Sequence, residues 1–161
     1  MTKLNLGGGS LRFEGFTNVD LSPQADLKHD LRNPLPFEAN SVDEIIAIHV
    51  IESFYQWEFP DILKDWVRVL KPGGKMSIEF TDLDDTIALY LSDNESNKQS
   101  GRWGLYGNQS RPVDPIVLHH YVWRLPEMEA MLRSLKVTSI EPTREGIYHS
   151  NVRDWRLIVI K

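Results

Sequence analysis

A short apolar strand runs into three consecutive glycines near the start of the chain. Leu4 and Leu6 alternate with polar residues, and Gly7, Gly8 and Gly9 follow directly. Because glycine has no Cβ, a ligand can lie against the bare backbone of such a turn. The N–H groups of such a turn are also suited to binding a carboxylate or a phosphate. The segment therefore predicts either a ligand-binding turn or an ordinary tight turn between strands.

An acidic residue after the glycine turn favours the ligand-binding interpretation. Asp20 closes the next strand-like segment, so we expect it at the carboxyl edge of the sheet, where open α/β sheets bind ligands. A carboxylate there can accept two hydrogen bonds from a ribose diol. The dinucleotide fingerprint is disfavoured, because Arg12 stands at the position of its third glycine and Asp20 follows Gly9 by only 11 residues (20 − 9). A P-loop is excluded, because no G-K-[ST] follows the glycines.

Three further side chains stand where chemistry is expected. Asp30 follows the third strand-like segment, where it can accept a hydrogen bond from the adenine amine or simply begin the turn before Pro34. His49 closes the fourth strand-like segment, and His119 lies in a later loop. An imidazole gains and loses its proton near neutral pH, so both histidines are candidate bases. The alternatives are a hydrogen-bonded core residue for His49 and a solvated loop residue for His119.

Strands alternate with turns or helices over the first half of the chain, which predicts a mostly parallel sheet covered on both sides. Residues 42–51 form a nearly continuous apolar run, typical of a buried strand or a short buried helix. The predicted strands are 4–6, 17–21, 26–31, 42–51, 75–81, 137–140 and 155–160, and the predicted helices are 58–70, 84–91 and 126–135. Residues 92–120 have no clear period and contain several glycines, so they are predicted to be a long loop.

Composition limits the class of protein. A length of 161 residues suits one domain, and the net charge of −5 disfavours nucleic acid as a partner, because phosphate binding needs clustered Lys and Arg. The chain has no cysteine, which excludes disulfides, thiolate metal sites and a cysteine nucleophile. There is no signal-peptide pattern and no apolar run of about 18 residues. We therefore expect a cytoplasmic protein that does not contact membranes and holds no metal.

The order of these motifs resembles the class I S-adenosylmethionine-dependent methyltransferases, and most closely their short type-11-like members. The resemblance covers residues 3–82. Its motifs are L-x-L-G-x-G at 4–9, N-V-D at 18–20, H-D-L at 29–31, P-L-P-F at 34–37, S-x-D-x-I at 41–45, H-V-x-E at 49–52 and V-L-K-P-G-G at 69–74. It implies a doubly wound, Rossmann-like sheet of seven strands, mostly parallel with one late antiparallel strand.

The resemblance also implies a role for each matching residue. The glycine turn would face the methionine moiety of S-adenosylmethionine, and the Asn5 amide oxygen would accept from its ammonium group. Asp20 would bind the ribose, Asp30 and its neighbour the adenine, and His49 would lie beside the reacting methyl group. The implied cofactor residues are Asn5, Gly7, Gly8, Gly9, Asp20, Leu21, Asp30, Leu31 and His49.

Two departures from the family pattern bear on structure and catalysis. The connection from Gly9 to Asp20 is short, which predicts a stunted first crossover helix. Ser53 stands where relatives often carry a histidine after the H-V-x-E motif. This substitution favours the alternative of a protein that binds the cofactor without turnover.

The sequence therefore predicts one domain, 1–161, with a cofactor-binding half at 3–82 and an acceptor-site loop or lid at 92–121. The predicted function is methyl transfer from S-adenosylmethionine to an oxygen or nitrogen of a small-molecule acceptor. One alternative is a non-enzymatic S-adenosylmethionine- or nucleotide-binding protein or an inactive partner subunit. Another is a nicotinamide oxidoreductase, which would bind NADH and not the methyl donor.

Overall fold

The computed structural model describes residues 1–107, 118–148 and 152–161, and these form a single seven-stranded sheet. The strands are β1 Lys3–Leu6, β2 Thr17–Asp20, β3 Leu27–Lys28, β4 Val42–Ile48, β5 Leu70–Thr81, β6 Ser139–Thr143 and β7 Asp154–Ile160. Their spatial order is β3-β2-β1-β4-β5-β7-β6. Of the strands in the described residues, only β7 runs antiparallel to its neighbours, β5 and β6. The predicted fold class, a mostly parallel Rossmann-like sheet with one late antiparallel strand, is confirmed.

The main hydrophobic cluster takes its residues in β5 from one face of the strand, because the sequence of β5 alternates in polarity. In β5, Met76, Ile78 and Phe80 are fully buried and belong to the main hydrophobic cluster, whereas the intervening positions carry Ser77 and Glu79. The helices are α1 Phe59–Val69, α2 Leu83–Tyr90, α3 Glu95–Tyr106 and α4 Leu125–Arg133, with a 3₁₀ turn at Ile51–Ser53. Ser77 and Glu79 therefore lie on the opposite face of β5 from the main hydrophobic cluster.

Helix α1 forms because its apolar residues recur on one face. Ile62, Leu63 and Trp66 are buried in the main cluster, and Pro60 lies in the first turn, where its missing N–H costs nothing. The helix ends at Val69 because Pro72 and two glycines follow. The same segment begins β5 early, with a shift of register against β4 between Val42 and Glu44.

Three local predictions differ from the structure. β3 contains only Leu27–Lys28 instead of residues 26–31. Residues 7–16 contain no helix, so the first crossover is not merely stunted but lacks its helix. The segment 92–120, predicted as a loop, begins with the twelve-residue helix α3, while residues 108–117 of the predicted acceptor loop lie outside the described residues.

The two glycines that suggested a loop are the reason that α3 packs closely on α2. A Cβ on Gly101 would lie 2.6 Å from the Tyr90 backbone nitrogen, and a Cβ on Gly104 would lie 2.6 Å from Thr86 Cγ2. Each glycine disfavours an isolated helix by roughly 1 kcal/mol relative to alanine. The composition of this segment therefore does not predict a helix, and packing on α2 stabilises the one that forms.

Candidate functional site

A cavity of about 370 Å³ opens at the carboxyl ends of β1, β2 and β4. This volume falls in the range of small-molecule sites, roughly 300–1,000 Å³. Most of the predicted cofactor residues line it, namely Gly7, Gly9, Asp20, Leu21, Asp30, Leu31 and His49. The structure therefore brings residues from four separate motifs to one cavity.

The backbone of the glycine turn, at Gly7 and Gly9, forms part of the cavity wall. Gly7 and Gly9 have φ values of 66° and 52°, which L side chains rarely adopt. A Cβ on Gly7 would lie 2.1 Å from Val50 Cγ2, whereas a Cβ on Gly9 would meet nothing within 4 Å and would project into open space. The N–H groups of Gly7 and Gly9 donate to Val19 O at 2.9 Å and to Asp20 Oδ2 at 2.8 Å. These two donors are thus used within the protein, contrary to the expectation that the turn holds an anion through them.

Asn5 and Gly8 lie beneath the turn, outside the cavity wall. The Asn5 amide donates to Leu11 O at 2.9 Å and to Asn18 Oδ1 at 3.3 Å, and so braces the connection that follows β1. A Cβ on Gly8 would lie 2.1 Å from the Asn5 amide nitrogen, so Gly8 is needed for this brace. Asn5 Oδ1 is buried and has no hydrogen-bond partner among the described residues. The predicted contact of these two residues with the cofactor stays a prediction.

Asp20 combines a structural role with capacity for a ligand. Its two carboxylate oxygens accept from Gly9 N at 2.8 Å and from Ser22 N at 2.7 Å. A carboxylate has about four lone-pair sites, so two remain for further donors. Because Asp20 lines the cavity at the end of β2, those sites can accept from the two hydroxyl groups of a ribose.

The wall of the cavity next to β3 is formed by Asp30 and its neighbours. Asp30 Oδ1 accepts from the Arg32 backbone N–H at 3.0 Å, and Leu31 is buried beside it. Sequence reasoning missed several residues that also line the cavity, namely Ser22, Pro23, His29, Arg32, Val50, Ser53 and Phe54. Each of these residues is within a few positions of a recognised motif, so its closeness to that motif along the chain could have predicted that it lines the cavity.

His49 lies at the cavity wall, with carboxylates behind both of its ring nitrogens. Its Nδ1 is 3.2 Å from Glu52 Oε1, and its Nε2 is 3.6 Å from Asp154 Oδ2 and 3.8 Å from Glu79 Oε1. The three carboxylates are almost completely buried, at 0%, 4% and 0% exposure for Glu52, Asp154 and Glu79, while the His49 side chain is 18% exposed. The backbone of His49 has a φ of 47°, which ends β4 and turns the chain into the 3₁₀ turn.

His49, Glu52, Glu79 and Asp154 form an acidic cluster around the imidazole. Within this cluster the pKa of His49 is raised and the pKa of Glu52 is lowered. Burial alone would lower the pKa of His49, but the hydrogen bond with Glu52 and the charges of Glu52, Asp154 and Glu79 outweigh it and raise this pKa above its ordinary value. Burial alone would raise the pKa of Glu52, but the His49 hydrogen bond and charge, the nearby His119 and the Thr81 N–H lower it to about 2. Glu52 is therefore ionised at neutral pH, and His49 holds its proton more tightly than a free imidazole.

His119 does not line the cavity. Its Nδ1 donates to the carbonyl oxygen of Gly104 in α3 at 2.8 Å, and it lies close enough to Glu52 to affect the pKa of that carboxyl. Since His49 lines the cavity and His119 does not, His49 is the better situated of the two candidate bases. Sequence reasoning missed Glu79 and Asp154; the signal for Glu79 was an acidic residue on the polar face of a central strand.

Residues 11–78 match the family model described as a methyltransferase domain. Solved structures share the fold along 99% of this chain. A SAM-dependent methyltransferase from Archaeoglobus fulgidus has a TM-score of 0.67 at 14% identity, with 86% of that chain covered. One from Thermotoga maritima has 0.66 at 15% identity with 82% covered, and the protein PH0226 from Pyrococcus horikoshii has 0.64 at 23% with 81% covered. No curated protein matches the chain in sequence.

The match to the methyltransferase-domain model covers 68 of the 161 residues (78 − 11 + 1), and the fold is shared with S-adenosylmethionine-dependent methyltransferases. Both findings agree with the family that the motifs resemble, whose cofactor is S-adenosylmethionine. The residues present fit that cofactor, because bare backbone at Gly9 and an Asp20 carboxylate with spare lone pairs face one cavity. Among the described residues, no helix is both long and apolar enough to cross a membrane.

Proposed function

We propose that the protein transfers the methyl group of S-adenosylmethionine to an oxygen or nitrogen of a small-molecule acceptor. The observation that carries this proposal is the convergence of the glycine turn, Asp20, Asp30 and His49 on one cavity at the carboxyl edge of the sheet. The net charge of −5 supports a small acceptor over nucleic acid, whose phosphates repel a negatively charged protein.

Each wall of the cavity has a separate task in this proposal. The glycine turn faces the methionine moiety of the cofactor, Asp20 accepts from the ribose hydroxyls, and Asp30 with Leu31 contacts the adenine. The bound cofactor supplies a methyl group on a sulfonium, which is already a good leaving group. The protein therefore contributes chiefly position and exclusion of water, and a base serves only acceptors that carry a proton at working pH.

His49 is the proposed base for such acceptors. It ends β4 beside the glycine turn, at the edge where open α/β sheets hold their ligands. The surrounding carboxylates stabilise the imidazolium that proton uptake would form. Their effect is to make His49 a stronger base that is neutral in a smaller fraction of molecules at pH 7.

A protein that binds the cofactor without turnover is the second candidate. It is favoured by one observation, the occupation of both sides of the His49 ring by carboxylates, which limits access to its nitrogens. Both candidates predict cofactor binding, and only the enzyme consumes the methyl donor.

Calorimetry followed by a turnover assay tests the proposal. We expect S-adenosylmethionine and S-adenosylhomocysteine to bind, and NADH and ATP not to bind. With a panel of small phenols, carboxylic acids and amines, we expect acceptor-dependent formation of S-adenosylhomocysteine. Binding of NADH without binding of either adenosyl ligand would contradict the proposal, and cofactor binding with no turnover across the panel would favour the second candidate.

A further inference from the structure

We propose that Arg32 determines the specificity of the cofactor cavity at its adenine end. Its side chain divides this cavity from a second one, and so excludes adenosyl ligands that carry an added group on the adenine amine. The proposal rests on the proposed function in placing the adenine beside Asp30. It goes further by giving a residue outside the recognised motifs the choice between an unsubstituted and a substituted amine.

The second cavity, of about 330 Å³, lies between the loop that follows β3 and the beginning of α1, and its lining includes Pro34, Trp57 and Ile62. We call it the outer cavity. Leu31 and Arg32 line both the outer cavity and the cofactor cavity. Leu31 belongs to the hydrophobic core, whereas the side chain of Arg32 is 32% exposed. Arg32 is therefore the part of the shared wall that can be removed without opening the core.

The guanidinium of Arg32 makes contacts on both sides of this wall. Its Nη1 lies 3.5 Å from Asp30 Oδ1, and its Nη2 donates to Ser53 O at 3.3 Å. Both of these partners line the cofactor cavity. Its Nε lies 3.5 Å from Oε1 of Glu58, which lines the outer cavity. The side chain thus bridges from the loop after β3 to the segment before α1, and it fills the space between the two cavities.

The ring of Phe54 supports this bridge. The central carbon of the Arg32 guanidinium lies 5.6 Å from the ring centroid, which is the distance of a cation–π contact. Phe54 is buried and stacks on Phe59 with a centroid separation of 6.0 Å, so the ring is fixed in the core. The polar contacts of Arg32 are long and partly exposed, and such ion pairs contribute little to stability. We therefore expect the fold to persist when the Arg32 side chain is removed.

The contact between Arg32 and Asp30 directs this effect to the adenine amine. In the proposed function, the amine donates one of its two hydrogens to Asp30. A group that replaces the other hydrogen must then be accommodated beside the Arg32 side chain, which fills the wall there. Without that side chain, the group can enter the outer cavity, where Trp57 and Ile62 offer apolar surface.

Calorimetry with S-adenosylhomocysteine and its N6-benzyl derivative tests the proposal. Wild-type protein should bind the benzyl derivative about 10–100-fold more weakly than the parent compound, as expected for overpacking of a filled wall. In Arg32→Ala the two affinities should agree within about threefold, and affinity for the parent should fall by less than about fivefold, because exposed ion pairs contribute little. Arg133→Ala is the matched control, since Arg133 is an exposed arginine of α4 that pairs with Glu129 and lines neither cavity.

A charged derivative and a conservative variant sharpen the test. The carboxylates of Glu58, Asp61 and Asp65 line the outer cavity, so a carboxylate on the benzyl group should be repelled there. In Arg32→Ala the carboxybenzyl derivative should bind at least about tenfold more weakly than the benzyl derivative. Arg32→Lys keeps a long cation but loses the planar guanidinium, so its affinity for the benzyl derivative should lie between those of wild type and Arg32→Ala.

The outcomes separate this proposal from the proposed function. A ratio of the parent and benzyl affinities that is equal in Arg32→Ala and Arg133→Ala would overturn the role of Arg32. Equal binding of the benzyl and carboxybenzyl derivatives by Arg32→Ala would also overturn it, because the added group would then lie in solvent. If wild-type protein does not bind S-adenosylhomocysteine, the proposed function fails and this proposal fails with it. If the affinities are as expected but no acceptor is methylated, the role of Arg32 stands and the proposed transfer fails.

Discussion

Asp20 shows how one side chain can shape a turn and serve a ligand. Its carboxylate accepts from the N–H groups of Gly9 and Ser22, and these bonds fix its orientation before any ligand arrives. Preorganised acceptors lose little entropy on binding, which strengthens each hydrogen bond that they form. The residue therefore links the conformation of the glycine turn to the affinity of the cavity.

Replacing Asp20 with asparagine should weaken cofactor binding by about 10–100-fold, because hydrogen bonds to a charged group contribute about 1.5–3 kcal/mol. Asparagine keeps an acceptor for only one of the two N–H groups, so one bond that holds the turn is lost, while the sheet and therefore the circular dichroism spectrum should persist. Asp26→Asn is the control, since Asp26 accepts from the Asn18 N–H but lies outside the cavity wall. Calorimetry with S-adenosylhomocysteine measures both variants; equal affinities would show that Asp20 does not hold the ribose.

The residues whose position at the cavity the sequence could predict are those that local geometry places there. Gly7 and Gly9 were predictable because strands that end in glycines leave bare backbone, and Asp20 because an acid that closes a strand lies at the sheet edge. Asp154 could not be predicted, because it reaches His49 only through the antiparallel pairing of β7 with β5. That contact depends on register between strands far apart in the chain.

At the scale of elements, the strands and α1 were predictable because their apolar periodicity matches their burial. Helix α3 was not, because its apolar surface is small and its two glycines read as loop residues. Close packing on α2 compensates for the low helix propensity of glycine, and this depends on the shape of a partner that sequence does not reveal. The absent crossover helix was foreseen in part, from the short distance between Gly9 and Asp20.

Replacing Gly104 with alanine should destabilise the protein by about 1–3 kcal/mol, as overpacking of a tight contact does. The added Cβ would lie 2.6 Å from Thr86 Cγ2, so α2 and α3 must separate. Urea unfolding measures the loss, and amide exchange should rise in both helices. Ser96→Ala, at an exposed position of α3, is the control and should change stability little. Equal stability of the two variants would show that the contact is not tight in solution.

At the scale of the whole molecule, the carboxylates around His49 belong to the candidate site, and their burial also affects the free energy of unfolding. Glu52, Glu79 and Asp154 are buried carboxylates, and burial of a charge is unfavourable unless it is paired. His49 is the residue that lies between them and pairs with all three. The proton on His49 therefore stabilises the fold as well as serving the proposed reaction.

This coupling predicts how the free energy of unfolding depends on pH. The pKa of His49 is raised above its ordinary value of 6.5 in the folded state, so its contribution is complete below about pH 6.5 and is lost as the pH rises through the folded pKa. The pKa of Glu52 is lowered from 4.5 to about 2, so its contribution is present above about pH 4.5 and is lost as the pH falls towards 2. The pair should therefore contribute most between these two limits.

Urea unfolding of wild type and His49→Gln from pH 5 to 9 checks the alkaline side of this window. The variant has no proton to lose at this position, so the stability difference between the two proteins should be largest near pH 5–6 and should shrink as the pH rises. Groups that are the same in both proteins contribute equally to both, and their contributions cancel in the difference. A difference that is constant with pH would show that His49 has the same pKa in the folded and unfolded states, and that the three carboxylates do not hold its proton.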